Sequence, residues 1–126
     1  MRVSFNNSTI NTTITLPASK SISNRVLIVS ALCGSHNPAE HVRNLATCDD
    51  TTVLLQAFSQ RLPYEINIGA AGTSMRFLTA FLAARCNDEH IITGSQRMKN
   101  RPIAILVDAL RSLGADVEYV EREGYP

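Results

Sequence analysis

Tyr64-Glu65-Ile66-Asn67-Ile68-Gly69-Ala70-Ala71-Gly72-Thr73-Ser74-Met75-Arg76 reads as a strand, a glycine loop and a helix start in direct succession. Residues alternate in polarity from Tyr64 to Ile68, as in a half-buried strand. Past the glycines, Met75, Leu78, Phe81 and Leu82 fall at i, i+3, i+6 and i+7, one apolar stripe on a helix. Asn87-Asp88 breaks that helix, and His90 to Thr93 form a second short strand ending at Gly94.

The same alternation continues on both sides. Toward the C-terminus, Pro102 suits the first turn of a helix whose Ile103, Leu106, Val107 and Leu110 share a face until Gly114. Asp116 to Glu121 then reads as a strand, and Glu123-Gly124-Tyr125-Pro126 as a turn, which suggests a hairpin cut at its tip. Toward the N-terminus, Asp49 or Asp50 can cap a helix carrying Val53, Leu54, Ala57 and Phe58, closed near Pro63. Glu40 to Leu45 suggests a short strand. Ser19 stands where an N-cap would, before Val26-Leu27-Ile28-Val29 and a stop at Gly34. Val3-Ser4-Phe5 and the run holding Ile10, Ile14 and Leu16 read as extended structure up to Pro17. The expectation is a mixed α/β fold, with helices packed on one face of a mixed sheet. A faint repeat runs through it: Ser23-Asn24-Arg25-Val26-Leu27 and Ser74-Met75-Arg76-Phe77-Leu78 share Ser-x-Arg-x-Leu near two helix starts.

Composition narrows the function classes. The 126 residues suit one domain, and 44% apolar with 18% charged residues is globular rather than disordered composition. A net charge of +1 gives no global field for nucleic acid or a membrane surface, so any anion preference must be local. No apolar run approaches the roughly 20 residues that span a bilayer, and Met1 to Asn11 lacks the layout of a signal peptide. Cys33, Cys48 and Cys86 are odd in number and irregularly spaced, which fits a reducing cytoplasm better than a disulfide framework. His36, His41 and His90 show no metal-ligand spacing.

Three segments concentrate anion-binding chemistry. Ser19-Lys20-Ser21-Ile22-Ser23-Asn24-Arg25 opens a helix, where unpaired N–H groups attract phosphate or carboxylate. Lys20 adds a point charge, Ser21 a hydroxyl and Arg25 a planar fork four residues on, on the Ser21 face. A serine-capped helix with solvated charges explains that spacing equally well. The loop from Gly69 to Gly72, followed by Thr73-Ser74-Met75-Arg76, can turn its N–H groups on an anion. It is neither a Walker loop nor a dinucleotide fingerprint, and an ordinary strand-to-helix turn is the commoner origin of Gly-x-x-Gly. In Arg97-Met98-Lys99-Asn100-Arg101-Pro102, an extended backbone would point Arg97, Lys99 and Arg101 the same way; a solvated charged loop is the plainer alternative. No Ser-His-Asp or Cys-His nucleophile emerges, and Asp49-Asp50 fits helix capping better than acid–base work.

Leu16-Pro17-Ala18-Ser19-Lys20-Ser21-Ile22-Ser23-Asn24-Arg25, Ala71-Gly72-Thr73-Ser74-Met75-Arg76 and Arg97-Met98-Lys99-Asn100-Arg101-Pro102-Ile103, in this order, resemble the enolpyruvyl-shikimate-phosphate synthase family. Asp49-Asp50, Leu106-Val107-Asp108-Ala109-Leu110 and Gly114-Ala115 resemble it too, so the likeness runs over residues 13–126, the N-terminal part of much longer proteins. The resemblance implies transfer of the enolpyruvyl group of phosphoenolpyruvate to the 5-hydroxyl of shikimate-3-phosphate, with release of phosphate. It implies a tetrahedral intermediate, no metal or organic cofactor, and a place in the shikimate route to aromatic amino acids. It also implies βαβαββ units assembled into two domains with the active site between them. Lys20 would then be catalytic and lie between both substrates, Ser21 and Arg25 would hold shikimate-3-phosphate, Gly72 and Arg101 phosphoenolpyruvate, and Arg76 would support the loop or the anion field. Residues 1–16 would pass toward the other domain and residues 17–126 form a partial N-terminal α/β domain. The missing C-terminal part of the enzyme is the implied partner, and the chain alone is expected to fold without turning over. Two departures stand out: Ala70 where the family commonly has Asn, and Phe77 where it often has Pro. The rival readings are a UDP-sugar enolpyruvyl transferase, which usually shows Lys-Asn in place of Ser19-Lys20-Ser21, and a non-catalytic anion-binding module.

Overall fold

The structure, a computed structural model, describes residues 1, 2, 4, 11–35, 37–58, 62–85 and 87–126. Its elements are α1 (Lys20–Leu32), a short 3-10 turn (Pro38–His41), α2 (Asp49–Phe58), β1 (Glu65–Asn67), α3 (Gly72–Arg85), β2 (Ile91–Thr93) and α4 (Ala104–Ser112). It is a mixed α/β fold with four helices and a small parallel sheet.

Helix boundaries follow local chemistry. Ser19 caps α1 by accepting from the Ile22 N–H at 3.4 Å, and Gly34 ends it at φ +86, a conformation that favours glycine. Gly114 performs the same function after α4 at φ +93. β1 and β2 pair in parallel with Ile66 opposite Ile92, and α3 is the crossover between them. The core lies where α1, α2 and α3 meet the sheet. Leu27, Leu54, Ile68 and Leu78 are fully buried, and Phe58 meets Phe81 edge-on with ring centroids 5.1 Å apart.

The Ser-x-Arg-x-Leu repeat has a structural counterpart. Leu27 and Leu78 both fill the core, and both serines are buried against one stretch of chain. Ser23 Oγ accepts from the Ala46 N–H at 2.9 Å, and Ser74 Oγ donates to the Asp50 carbonyl at 2.7 Å. Residues 46–50 are thus pinned between the first turns of two helices. Asn24, fully buried, accepts from Thr51 Oγ1 at 2.7 Å and ties α1 to α2.

Three expectations need correction. Residues 40–45 form no strand: Pro38 starts a 3-10 turn that ends at His41, because proline at its first position sets a helical φ. Residues 11–19 are not in a strand, and Ile14 and Leu16 are exposed. Residues 116–121 keep the alternation of a strand, with Val117 and Tyr119 turned inward, but no strand among the described residues pairs with them. Val3, Phe5, Ile10, His36 and Cys86 lie outside the described residues.

Candidate anion site

The first turn of α1 splits its side chains by angle. Ser23, Asn24 and Leu27 face the interior, whereas Lys20, Ser21 and Arg25 are exposed. Arg25 folds back along its own helix, donating through Nη1 to the Ser21 carbonyl at 2.9 Å and also to Ser21 Oγ. Its guanidinium lies 5.6 Å from the centroid of the Phe77 ring on α3.

The first turn of α3 supplies the opposite wall. Gly72 is buried, and a side chain there would collide with Arg101, since a Cβ would sit 2.9 Å from Arg101 Cζ. The guanidinium of Arg101 therefore occupies the space that glycine leaves. Arg76, one turn along, donates to the Gly72 carbonyl at 3.0 Å and to the Pro102 carbonyl at 3.2 Å, fastening the basic segment to the helix start.

That basic segment is a turn, not an extended strand. The Met98 and Lys99 N–H groups both bond to the Ser95 carbonyl and Arg101 N–H to the Met98 carbonyl, which sends successive cations in different directions. Arg101 reaches the α3 start, whereas Lys99 pairs with Glu121 on the other side of the segment. The expected common direction of Arg97, Lys99 and Arg101 is therefore not found.

Lys20, Arg25, Arg76 and Arg101 together line one cavity of about 310 Å³, along with Ala70, Gly72, Thr73, Phe77 and Asp50. Four cations against one carboxylate leave a strong positive excess, in a volume suited to a small organic anion. Ser21 is not in that wall; its hydroxyl is engaged by Arg25 from behind.

Asp50 is the residue whose role sequence reading missed. It sits in the first turn of α2, yet its side chain serves a different helix. Oδ1 accepts from the Thr73 N–H at 3.1 Å, at the start of α3, and Oδ2 pairs with Lys20 Nζ at 3.1 Å. Burial alone would raise its pKa. The Lys20 hydrogen bond and charge, with the N–H groups of Thr73 and Ser74, outweigh burial and hold the carboxyl below its ordinary value. The expected cap of α2 by Asp49 or Asp50 needs correction: both lie inside the first turn of α2, and Asp50 caps the start of α3 instead, because α2 packs against α3. Among the described residues, no cluster of His, Cys, Asp and Glu could hold a metal ion, and no helix is long and apolar enough to cross a membrane.

The family model for EPSP synthase (3-phosphoshikimate 1-carboxyvinyltransferase) matches residues 6–65 and 59–126. A 3-phosphoshikimate 1-carboxyvinyltransferase from Bacteroides fragilis is 54% identical over 120 residues, which is 94% of this chain and 28% of the relative. Relatives of the same name from Colwellia psychrerythraea and Vibrio cholerae are 41% and 40% identical, over 93% and 90% of this chain. The chain spans about a third of the length of these two, 32% in each case.

Proposed function

The chain belongs to the EPSP synthase (3-phosphoshikimate 1-carboxyvinyltransferase) family, and on that premise we propose that its cationic cavity is part of the site where shikimate-3-phosphate and phosphoenolpyruvate react. The observation that carries the reading is the convergence of Lys20, Arg25, Arg76 and Arg101 with the Gly72 helix start on one opening. Lys20 bridges the two ligands, Arg25 holds the phosphate of shikimate-3-phosphate with Ser21 supporting its guanidinium, and Arg101 beside Gly72 holds phosphoenolpyruvate. Arg76 fixes the loop that brings Arg101 into position. In the transfer, the 5-hydroxyl oxygen adds to C2 of phosphoenolpyruvate as it loses its proton and C3 gains one; the tetrahedral adduct then expels phosphate as C3 gives up a proton and the C2–C3 double bond re-forms. Charge moves among anionic groups throughout, so fixed cations favour both steps electrostatically.

The finer organisation belongs to the same reading. The order β1, α3, β2, α4 and residues 115–121 supplies most of a βαβαββ unit, within a partial N-terminal domain at residues 17–126. Residues 1–16 lead toward a second domain of a cytoplasmic enzyme. The C-terminal part of the enzyme supplies the remaining acid–base and cationic groups. A site lacking about four charge-assisted hydrogen bonds, each worth about 1.5–3 kcal/mol, loses ~6–12 kcal/mol of binding. By themselves, these 126 residues therefore bind in the millimolar range and do not turn over.

Titration of shikimate-3-phosphate into the chain, followed by amide NMR, tests the reading. Shifts should cluster at Lys20, Ser21, Thr73 and Arg101 and disappear in Arg25→Ala. Shifts scattered over other surfaces, or turnover by the pure 126-residue chain, would count against it.

A further inference from the structure

The segment that carries Arg101 is held from two sides, and only one of them faces the cationic cavity. On the cavity side, Arg76 Nη2 donates to the Pro102 carbonyl at 3.2 Å, and the Arg101 guanidinium fills the space beside Gly72. Behind the segment, the contacts come from residues 121–124. Glu121 pairs with Lys99 Nζ, Arg122 Nη2 donates to the Lys99 carbonyl at 3.4 Å, and the Gly124 carbonyl accepts from the Ile103 N–H at 2.9 Å. These contacts grip positions 99 and 103, on either side of Arg101.

The supporting residues are themselves fastened. Arg111, in the last turn of α4, donates through Nε to the Val117 carbonyl at 2.7 Å and pairs through Nη1 with Glu123 at 3.5 Å. Its guanidinium also lies 5.0 Å from the centroid of the Tyr119 ring. Further along, the Arg122 guanidinium lies 3.5 Å from the centroid of the Tyr125 ring, and a bridge between these two residues closes the turn, with Gly124 at φ +84. One arginine of α4 thus spans residues 117–123, and that stretch reaches back to Lys99. Neither Lys99 nor any of residues 117–125 lines the cationic cavity, so Arg101 is where this chain of contacts meets it.

Charge gives the support a purpose. Arg97, Lys99 and Arg101 repel one another at close spacing. Glu121 draws Lys99 to the side away from the cavity, and Arg101 is the cation of this turn that lines the cavity. We propose that Glu121 and Arg122 are positioning residues for Arg101: by holding Lys99 from behind, they keep the Arg101 guanidinium against the Gly72 helix start and so set the affinity for the anion bound there. A cation held in place before its ligand arrives loses less conformational freedom on binding. That this anion is phosphoenolpyruvate rests on the functional reading above; the bracing of Arg101 rests on the contacts alone.

Removing Glu121 separates bracing from simple charge, because the two predict opposite signs. Acting only through its charge, Glu121 would weaken anion binding, and its loss would tighten both ligands. As a brace, its loss weakens the ligand at Arg101 and spares the one at Arg25. In the 126-residue chain, Glu121→Ala should therefore weaken the amide shifts that phosphoenolpyruvate induces at Gly72 and Thr73 about three- to fivefold, the upper range for an exposed ion pair. Shikimate-3-phosphate binding and melting temperature should change little. In a Lys99→Met background, Glu121→Ala should have no further effect, since the brace acts through Lys99. Without ligand, Glu121→Ala should shift and broaden the Arg101 Nε–H resonance. Unchanged or tighter phosphoenolpyruvate binding, equal weakening of both ligands, a full effect in the Lys99→Met background, or an unmoved Arg101 Nε–H resonance would each overturn the proposal. If the parent chain shows no phosphoenolpyruvate shifts at Gly72 and Thr73, the functional reading falls instead, and the ligand-free Arg101 signal still decides the brace.

Discussion

At the cationic cavity, N–H groups that a helix start leaves unpaired have partners within these 126 residues: Asp50 takes the Thr73 N–H and Ser19 the Ile22 N–H. At the groove between β2 and residues 116–121, the outer edge of β2 and the Tyr119 hydroxyl have none among the described residues. The difference follows from range. A helix start is assembled by side chains a few residues away or one helix over, whereas a sheet needs strands from distant parts of the chain. The cavity is therefore shaped beside a sheet that has two strands among the described residues.

The broadest way to break this contrast is to compare stability on the two sides. Leu27 is fully buried between α1 and its neighbours, so Leu27→Ala should lower the unfolding free energy by about 2–5 kcal/mol in urea titration. Val117 is only partly buried at the groove wall, so Val117→Ala should lower it by about 1 kcal/mol or less. Equal losses would mean that the groove side is as well packed as the helical core.

Next in size is Gly72→Ala. The added methyl meets the Arg101 guanidinium, a charged group at the end of a flexible side chain, so Arg101 should yield and leave the cavity while the fold survives. Amide shifts induced by phosphoenolpyruvate should weaken about tenfold, the scale of one lost charge-assisted contact, with little change in melting temperature. Unchanged binding would remove Arg101 from the site.

Much of this contrast is legible in the sequence, and the reasons for the rest are physical. The stripe of Met75, Leu78, Phe81 and Leu82 and the caps at Ser19 and Gly34 depend on neighbours along the chain, and they appear in the structure as read. The motif from Ser19 to Arg25 also yields its cations correctly, since helical spacing alone separates Lys20 and Arg25 from buried Ser23 and Asn24. Where the reading went astray, backbone hydrogen bonds decided. Residues 97–101 close into a turn through the Ser95 carbonyl, which no charge pattern reports, and this splits Arg101 from Lys99. Asp50 serves α3 because α2 and α3 pack together, a tertiary fact beyond a capping rule.

The Asp50 contacts give a pH test. Its folded-state pKa lies below the ordinary value, so the folded protein binds fewer protons than the unfolded chain between the two values. The stabilisation is present above pH ~4 and is lost as pH falls through the lowered pKa. Asp50→Asn should flatten the acid limb of the stability curve while leaving its slope above pH ~5 unchanged. An identical acid limb in the variant would show that Lys20 and the α3 N–H groups do not stabilise the carboxylate.

The smallest expected effect isolates one aromatic contact within the cavity. The Phe77 ring lies under Arg25, whose guanidinium is 5.6 Å from the ring centroid. A ring beneath a guanidinium limits where it can swing, and such a contact at an exposed site is worth about 0.5–1 kcal/mol. Phe77→Leu retains apolar volume but loses the π face, so shikimate-3-phosphate should bind about two- to fivefold more weakly, with Phe77→Tyr near the parent. If both variants bind as the parent does, the two hydrogen bonds to Ser21 suffice to hold Arg25, and α1 orders its own cation without help from α3.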